Sequence, residues 1–291
     1  MKIIRATHLG MCFGVRDAIA LAVQQSESGP LSILGDLVHN DTVLQDLRSK
    51  GVKIEHQAAE LSSQRVMITA HGSSDRTLQH LHARGIQVLE ATCPLVRYAH
   101  RTVAALAASG YHPVIIGKRD HVEVRGLTGD LDVFDVVLCS EDIEQLPQRA
   151  KYGVASQTTQ PIERVSRLVR LIQQRFPDSE VRFIDTVCQP TKQRQSAAVE
   201  LARQSDVVIV IGGAHSNNTR ELVQTCGRHC ARVHHVQTAR DLRLEWFRNI
   251  RTIGITAGTS TPDATIDEVE QWLRARVATA LEVPEPNLSA A

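Results

Sequence analysis

Residues 86–100 read IQVLEATC and then PLVRYAH. The apolar, β-branched run predicts a strand that ends at a cysteine. The proline directly after it opens a helical pattern, because its fixed φ and missing N–H suit the first position of a helix. The same junction occurs twice more: IIRATHLGMC precedes GVRDAIALAVQQ, and VRFIDTVC precedes QPTKQRQSAAVELARQS. Cys12, Cys93 and Cys188 therefore hold equivalent places in a repeat of strand and helix.

The strands between these junctions repeat as well. LSILGD runs into a loop with His39, HPVIIG into a loop with His121 and Glu123, and DVVIVIGG into a loop with Ser216, Asn217 and Asn218. VMITAHGSSD carries His71, YGVASQTTQP carries Thr158, and TIGITAGTSTPD carries Ser260. Ser260 or Thr261 is expected to cap a helix whose first residue is Pro262. The reading is an α/β fold of three pseudo-equivalent small domains, each of roughly 80–95 residues, arranged around a central cluster site. Their expected spans are 1–92, 93–187 and 188–283, followed by a mobile tail over 284–291. The polar residues named lie after the carboxyl ends of strands, where open α/β sheets bind ligands.

The 291 residues, 42% apolar and 22% charged, suit a folded globular chain. A formal net charge of +1 gives no surplus of Lys and Arg for a nucleic-acid partner. No stretch has the length of a membrane span or the apolar core of a secretory leader, so a cytoplasmic location without membrane contact is expected. There, six cysteines are expected to be reduced, metal-bound or catalytic. Cys139, Cys226 and Cys230 read as structural, since a lone thiol is most often a small buried hydrophobe.

Cys12, Cys93 and Cys188 differ because the repeat brings them together. Helix N-termini favour thiolates, and three converging thiolates repel unless a metal centre neutralises them. An iron–sulfur cluster with one iron open to substrate meets that need, and so does a catalytic zinc with three thiolates; spacing alone leaves both open. His39, His71, His121, Ser216, Asn218 and Ser260 form a set of hydrogen-bond donors suited to a phosphate or diphosphate. Each alone also reads as an ordinary loop histidine or helix cap. Glu123 is either a solvated loop acid or, if buried beside an anion, a proton donor.

Together MCFGV, LVHN, TAHG, ATCPLV, HVEVRG, SQTT, KQRQ, HSNNTREL and TAGTSTPD resemble the 4-hydroxy-3-methylbut-2-enyl diphosphate reductases, over residues 1–275 or so. The resemblance implies a [4Fe–4S] cluster held by Cys12, Cys93 and Cys188. It implies an allylic diphosphate held by His39, His71, His121, Ser216, Asn217, Asn218 and Ser260, with Thr158 near the substrate hydroxyl and Glu123 as proton donor. It further implies an external one-electron donor of ferredoxin or flavodoxin type, and isopentenyl and dimethylallyl diphosphate as products of the last step of the methylerythritol phosphate route. The family's His-Pro-Glu reads His121-Val122-Glu123 here, and its Ser-Ser-Asn reads Ser216-Asn217-Asn218. The alternative is a divergent iron–sulfur protein that acts on another diphosphate or senses oxygen or redox state. A sensor needs neither Glu123 nor Thr158.

Overall fold

The computed structural model describes residues 1–280; the tail expected over 284–291 lies outside the described residues. The chain begins with β1 (Lys2–Arg5) and α1 (Phe13–Glu27). A first sheet follows from β2 (Ser32–Leu34), β3 (Lys53–Glu55), β4 (Arg65–Ile68) and β5 (Gln87–Glu90), interleaved with α2 (Asp41–Ser49) and α3 (Asp75–Ala83). After α4 (Pro94–Ala108), a second sheet uses β6 (His112–Ile116), β7 (Asp135–Val137), β8 (Lys151–Ser156) and β9 (Glu180–Phe183), with α5 (Val122–Thr128), α6 (Ser140–Glu144) and α7 (Ile162–Arg175) between them. After α8 (Gln189–Arg203) come β10 (Val207–Ile211), α9 (Asn217–Gly227), β11 (Val233–Val236), β12 (Thr252–Ala257) and α10 (Asp263–Ala280).

The three sheets have four strands each, in the orders β3-β2-β4-β5, β7-β6-β8-β9 and β1-β12-β10-β11, and every pairing is parallel. All three orders are the same pattern: second, first, third, fourth strand of a set. The last set takes its fourth strand from the other end of the chain, with Lys2–Arg5 in register against Thr252–Ile255. The expected segment 1–92 is corrected at this point. Strand β1 belongs with the third sheet, where it covers the edge of β12 that would otherwise present unpaired backbone groups.

By its contacts the chain forms two compact units, Met1–Met11 with the chain from Gln193 onward, and Cys12–Lys192. In the first unit, the β10 sequence VVIVI is buried throughout, as a central parallel strand covered on both faces requires. Val207, Ile209 and Ile211 face one apolar cluster with Ile253, Ile255 and Leu273, while Val208 and Val210 face another with Ala198 and Leu201. Each such fully buried side chain contributes about 1.5–3 kcal/mol relative to exposure. Cys226 and Cys230 lie in the second of these clusters, as structural thiols should. In the unit Cys12–Lys192 the second sheet is built the same way, with Val114 and Ile116 on one side and Ile115 on the other.

Helix starts follow the sequence closely, with one exception. Pro94 opens α4 and Cys93 is its N-cap, while Cys12 caps α1. Pro262, however, lies just outside α10, and its carbonyl accepts the first helical N–H groups from Thr265 and Ile266. The Thr261 hydroxyl donates to the Ile211 carbonyl at 3.1 Å.

The loops after β10 and β12 close tightly on Thr219 in the first turn of α9. A Cβ added at Gly258 meets the Thr219 side chain at less than any normal contact distance. We expect Gly258→Ala to destabilise the fold by about 1–3 kcal/mol, the usual effect of overpacking, read as a lower urea midpoint with unchanged slope.

Candidate active site

Within the unit Cys12–Lys192 the strand ends of two sheets supply a single group of polar side chains. After β2, Leu37 and Val38 are buried and anchor the loop, and Asn40 caps α2 by accepting the N–H of Thr42 at 3.1 Å and of Val43 at 3.3 Å. This fixes His39 between them. After β4, the His71 N–H donates to the Thr69 hydroxyl at 3.3 Å. After β6, His121 caps α5, its Nδ1 accepting the Glu123 N–H at 3.1 Å. The three imidazoles then meet. His39 stacks on His71 at 4.7 Å between centroids, and His121 stands edge-on to both at 5.2 and 5.5 Å.

Burial holds His71 well below the ordinary imidazole value, and the neighbouring His39 and His121 push it further down. His71 is therefore neutral, and its buried Nε2 has no hydrogen-bond partner in the protein. An unsatisfied buried nitrogen costs about 1–3 kcal/mol, so the site is built to receive a further polar group.

Glu123 is 1% exposed, and its carboxylate is gripped by one residue. The Thr158 N–H donates to Oε1 at 2.6 Å and the Thr158 hydroxyl to Oε2 at 3.0 Å. Both bonds favour the charged form, but burial outweighs them and raises the carboxyl to about 7. A carboxylic acid with that value holds its proton near neutral pH and gives it up readily.

The cysteines are half-buried at the ends of α1, α4 and α8. The Cys93 N–H is tied to the carbonyl of Ala70, beside His71, and the Cys188 N–H to the carbonyl of Thr158. Cys12 and Glu123 both act on Cys93 and Cys188 by like charge, so these groups share one site. Burial pushes the Cys93 thiol up and Cys188 to about 11; the amides of Leu95 and Val96, and of Thr191, pull the other way and lose. At Cys93 and Cys188 desolvation thus exceeds the contribution of the helix ends. Thiolates here require a cation. Among the described residues, no group of three or more His, Cys, Asp or Glu is set to hold a single metal ion.

The other unit carries the remaining four predicted residues. Ser216 caps α9 by accepting the Thr219 N–H at 3.3 Å. Asn218 accepts the Thr259 N–H at 3.0 Å, which ties the start of α9 to the loop bearing Ser260. Ser216, Asn217, Asn218 and Ser260 are all buried, and Asn218 Nδ2 has no hydrogen-bond partner there.

Three residues that position the site escaped the sequence reading. Gln157, fully buried, accepts the Lys118 N–H at 3.1 Å and so steadies the loop that presents His121 and Glu123. Gly14 packs directly against Cys93, with no room for a Cβ. In the other unit, Arg194 places Nε and Nη2 on the Gly10 carbonyl at 2.9 and 2.7 Å, two residues before Cys12. Gly10 has a φ of +72°, a conformation that side chains rarely adopt. The motif KQRQ contains Arg194, but nothing in it names the partner.

The depressed His71 sets a pH dependence of stability. In the unfolded chain it takes a proton near 6.5, whereas in the folded chain it resists doing so. The unfolded state then binds more protons, so stability should fall as pH drops below about 6.5. A urea midpoint measured from pH 7.5 to 5.5 should decline, and His71→Asn should flatten the decline.

Comparison with known proteins identifies the family and the fold. The LytB protein family model matches residues 3–274. The 4-hydroxy-3-methylbut-2-enyl diphosphate reductase of Trichlorobacter lovleyi is 37% identical over 272 residues, 92% of this chain and 96% of that one. The protein of the same name from a Thermoanaerobacter species is 36% identical over 281 residues, 94% and 97% of the two chains. Among solved structures, the E-1-hydroxy-2-methyl-but-2-enyl-4-diphosphate reductase of Plasmodium falciparum matches with a TM-score of 0.88 at 25% identity, covering 94% of this chain and 87% of that one. A second, an (E)-4-hydroxy-3-methyl-but-2-enyl diphosphate reductase described as the terminal enzyme of the non-mevalonate pathway, matches with a TM-score of 0.69 at 35% identity over 94% and 99%. With a family model spanning nearly its whole length and relatives of matching length, the chain belongs to the LytB protein family.

Proposed function

We propose that this chain is a 4-hydroxy-3-methylbut-2-enyl diphosphate reductase. It removes the allylic hydroxyl of (E)-4-hydroxy-3-methylbut-2-enyl diphosphate to give isopentenyl and dimethylallyl diphosphate, the last step of the methylerythritol phosphate route. The substrate takes up two electrons and two protons; the C–O bond breaks, one proton leaves with the oxygen as water, and the other enters at an allyl carbon. The observation that carries this reading is a buried carboxyl raised to about 7 and held by two Thr158 donors, in one site with three cysteines and three histidines.

Cys12, Cys93 and Cys188 would hold a [4Fe–4S] cluster. The donor set fits: three half-buried thiols share one site, burial penalises the ionisation of Cys93 and Cys188, and a cationic core relieves that penalty. When bound, the cluster supplies electrons one at a time and Lewis acidity at the iron that lacks a cysteine.

The chain's own residues supply the rest. Protonated Glu123 delivers its proton to the departing oxygen, since hydroxide is a poor leaving group without one. Thr158 fixes the orientation of that carboxyl. His39, His71 and His121, with Ser216, Asn217, Asn218 and Ser260, would hold the diphosphate. Neutral imidazole N–H groups, hydroxyls and amides suit an anion, and the unpartnered His71 Nε2 and Asn218 Nδ2 gain a partner by binding it. The external reductant is a one-electron carrier of ferredoxin or flavodoxin type.

The direct test is an anaerobic assay of the reconstituted chain with reduced viologen and the hydroxylated diphosphate. The reading expects consumption of substrate and formation of both products; an intact cluster without turnover would overturn it. Glu123→Gln preserves both contacts to Thr158, since an amide accepts and donates. It should keep the cluster and substrate binding but lower turnover by about 10²–10⁴-fold; a rate close to the parent removes Glu123 from proton delivery. In the parent, kcat/KM should fall as pH rises through about 7 and Glu123 ionises in the free protein. Gly14→Ala forces its new methyl onto Cys93. We expect that variant to fold but to lose most of its iron, measured as metal per chain.

A further inference from the structure

We propose that the exposed faces of α1 and α4, beginning beside Cys12 and Cys93, are the docking surface for an acidic one-electron carrier protein. The inference rests on the reductase reading above, which requires electrons to arrive from outside.

Each of these helices exposes the residues one, four, five and eight positions after its cysteine. On α1 these are Phe13, Arg16, Asp17 and Ala20; on α4 they are Pro94, Arg97, Tyr98 and Arg101. The two helix starts adjoin, since Gly14 packs against Cys93. The faces are therefore neighbours, and both start where half-buried thiols approach solvent.

Two properties point to a protein partner. Phe13 is 46% exposed and Tyr98 44%, and among the described residues only Met1, Val133 and Leu244 are as exposed among large apolar side chains. Aromatic and arginine side chains are those that interfaces favour. Charge gives the partner's sign. On the two helix faces themselves Arg16, Arg97 and Arg101 stand against a single acid, Asp17, while Glu90, paired with Arg97 at 3.1 Å, lines with Asp75 and Asp130 the cleft beside Arg97 and Arg101, so the positive charge is confined to the exposed helix faces. The pattern extends to the third cysteine: Arg16, Arg97 and Lys192 each donate a backbone N–H to the carbonyl of the cysteine four residues earlier. Lys192 itself is paired with Asp185 at 2.5 Å. Exposed ion pairs are weak and can exchange for a partner's carboxylate.

The stoichiometry of the reaction selects a transient contact. Two electrons taken one at a time need a carrier to bind, discharge and leave before the next arrives. A small apolar centre with steering charges around it serves that purpose, because rim charges raise the association rate without slowing release.

The test uses the cluster-loaded chain under anaerobic conditions with two reductants, a reduced [2Fe–2S] ferredoxin and dithionite-reduced methyl viologen. The triple variant Arg16→Glu, Arg97→Glu, Arg101→Glu should lose about tenfold or more of kcat/KM for ferredoxin while viologen-driven turnover stays within about twofold. Ferredoxin-driven turnover of the parent should fall steeply with salt. The matching Gln variants, which neutralise without reversing charge, should lie between. Unchanged ferredoxin-driven rates overturn the proposal, as do equal losses with both reductants, which would mean the face supports the cluster instead. Parent turnover with viologen but none with ferredoxin removes an acidic carrier as the occupant. Salt-sensitive self-association of the parent that the triple variant abolishes would assign the face to a second copy. No viologen-driven turnover in the parent, with cluster intact, overturns the reductase reading itself and is distinct from these outcomes.

Discussion

The structure depends on a conflict at its three cysteines. Cys93 and Cys188 cap helices whose amides favour negative charge, yet both are buried enough that their thiols are pushed up, and Cys12 and Glu123 add like charge to both. Desolvation is the largest effect at both Cys93 and Cys188 and wins there. A site that gathers thiols while penalising their ionisation is stable with neutral thiols or with thiolates on a cation, but not with bare thiolates. Glu123 fits the same electrostatics. Buried, and despite two hydrogen bonds from Thr158 that favour its charged form, it keeps a proton that a solvated carboxylate would have lost.

The fold was largely legible because its repeat is written in strands that end at chemistry. A cysteine closes the fourth strand of each set, and the loops with His39, His121 and Ser216, or with His71, Thr158 and Ser260, follow the first and third. What escaped the reading is what sequence periodicity does not encode. Parallel pairing of β1 with β12 joins the two ends of the described chain, and no local pattern in KIIR says which edge it will seek. Whether burial or the helix end governs a thiol depends on surroundings drawn from distant segments.

The site was legible residue by residue but not in its supports. His39, His71 and His121 were singled out, and they form one stacked cluster from two sheets. Glu123 had two readings, solvated or buried, and tertiary packing against Thr158 selects the buried one. Gln157 and Gly14 gave no signal, since a glutamine that braces a loop and a glycine that yields space to a sulfur look like any others. The loss of proline between His121 and Glu123 is met structurally. The His121 ring caps the Glu123 N–H, and Gln157 holds the Lys118 N–H, so hydrogen bonds fix the loop where a proline ring would have.

The central claim is that one inorganic core joins Cys12, Cys93 and Cys188. Purification without oxygen, followed by a count of iron and acid-labile sulfide per chain, tests it most directly. The account predicts a brown protein with about four of each per chain, falling to traces when any of the three cysteines is replaced by serine. A colourless preparation that carries a single zinc, or iron retained at full content in all three serine variants, would contradict it.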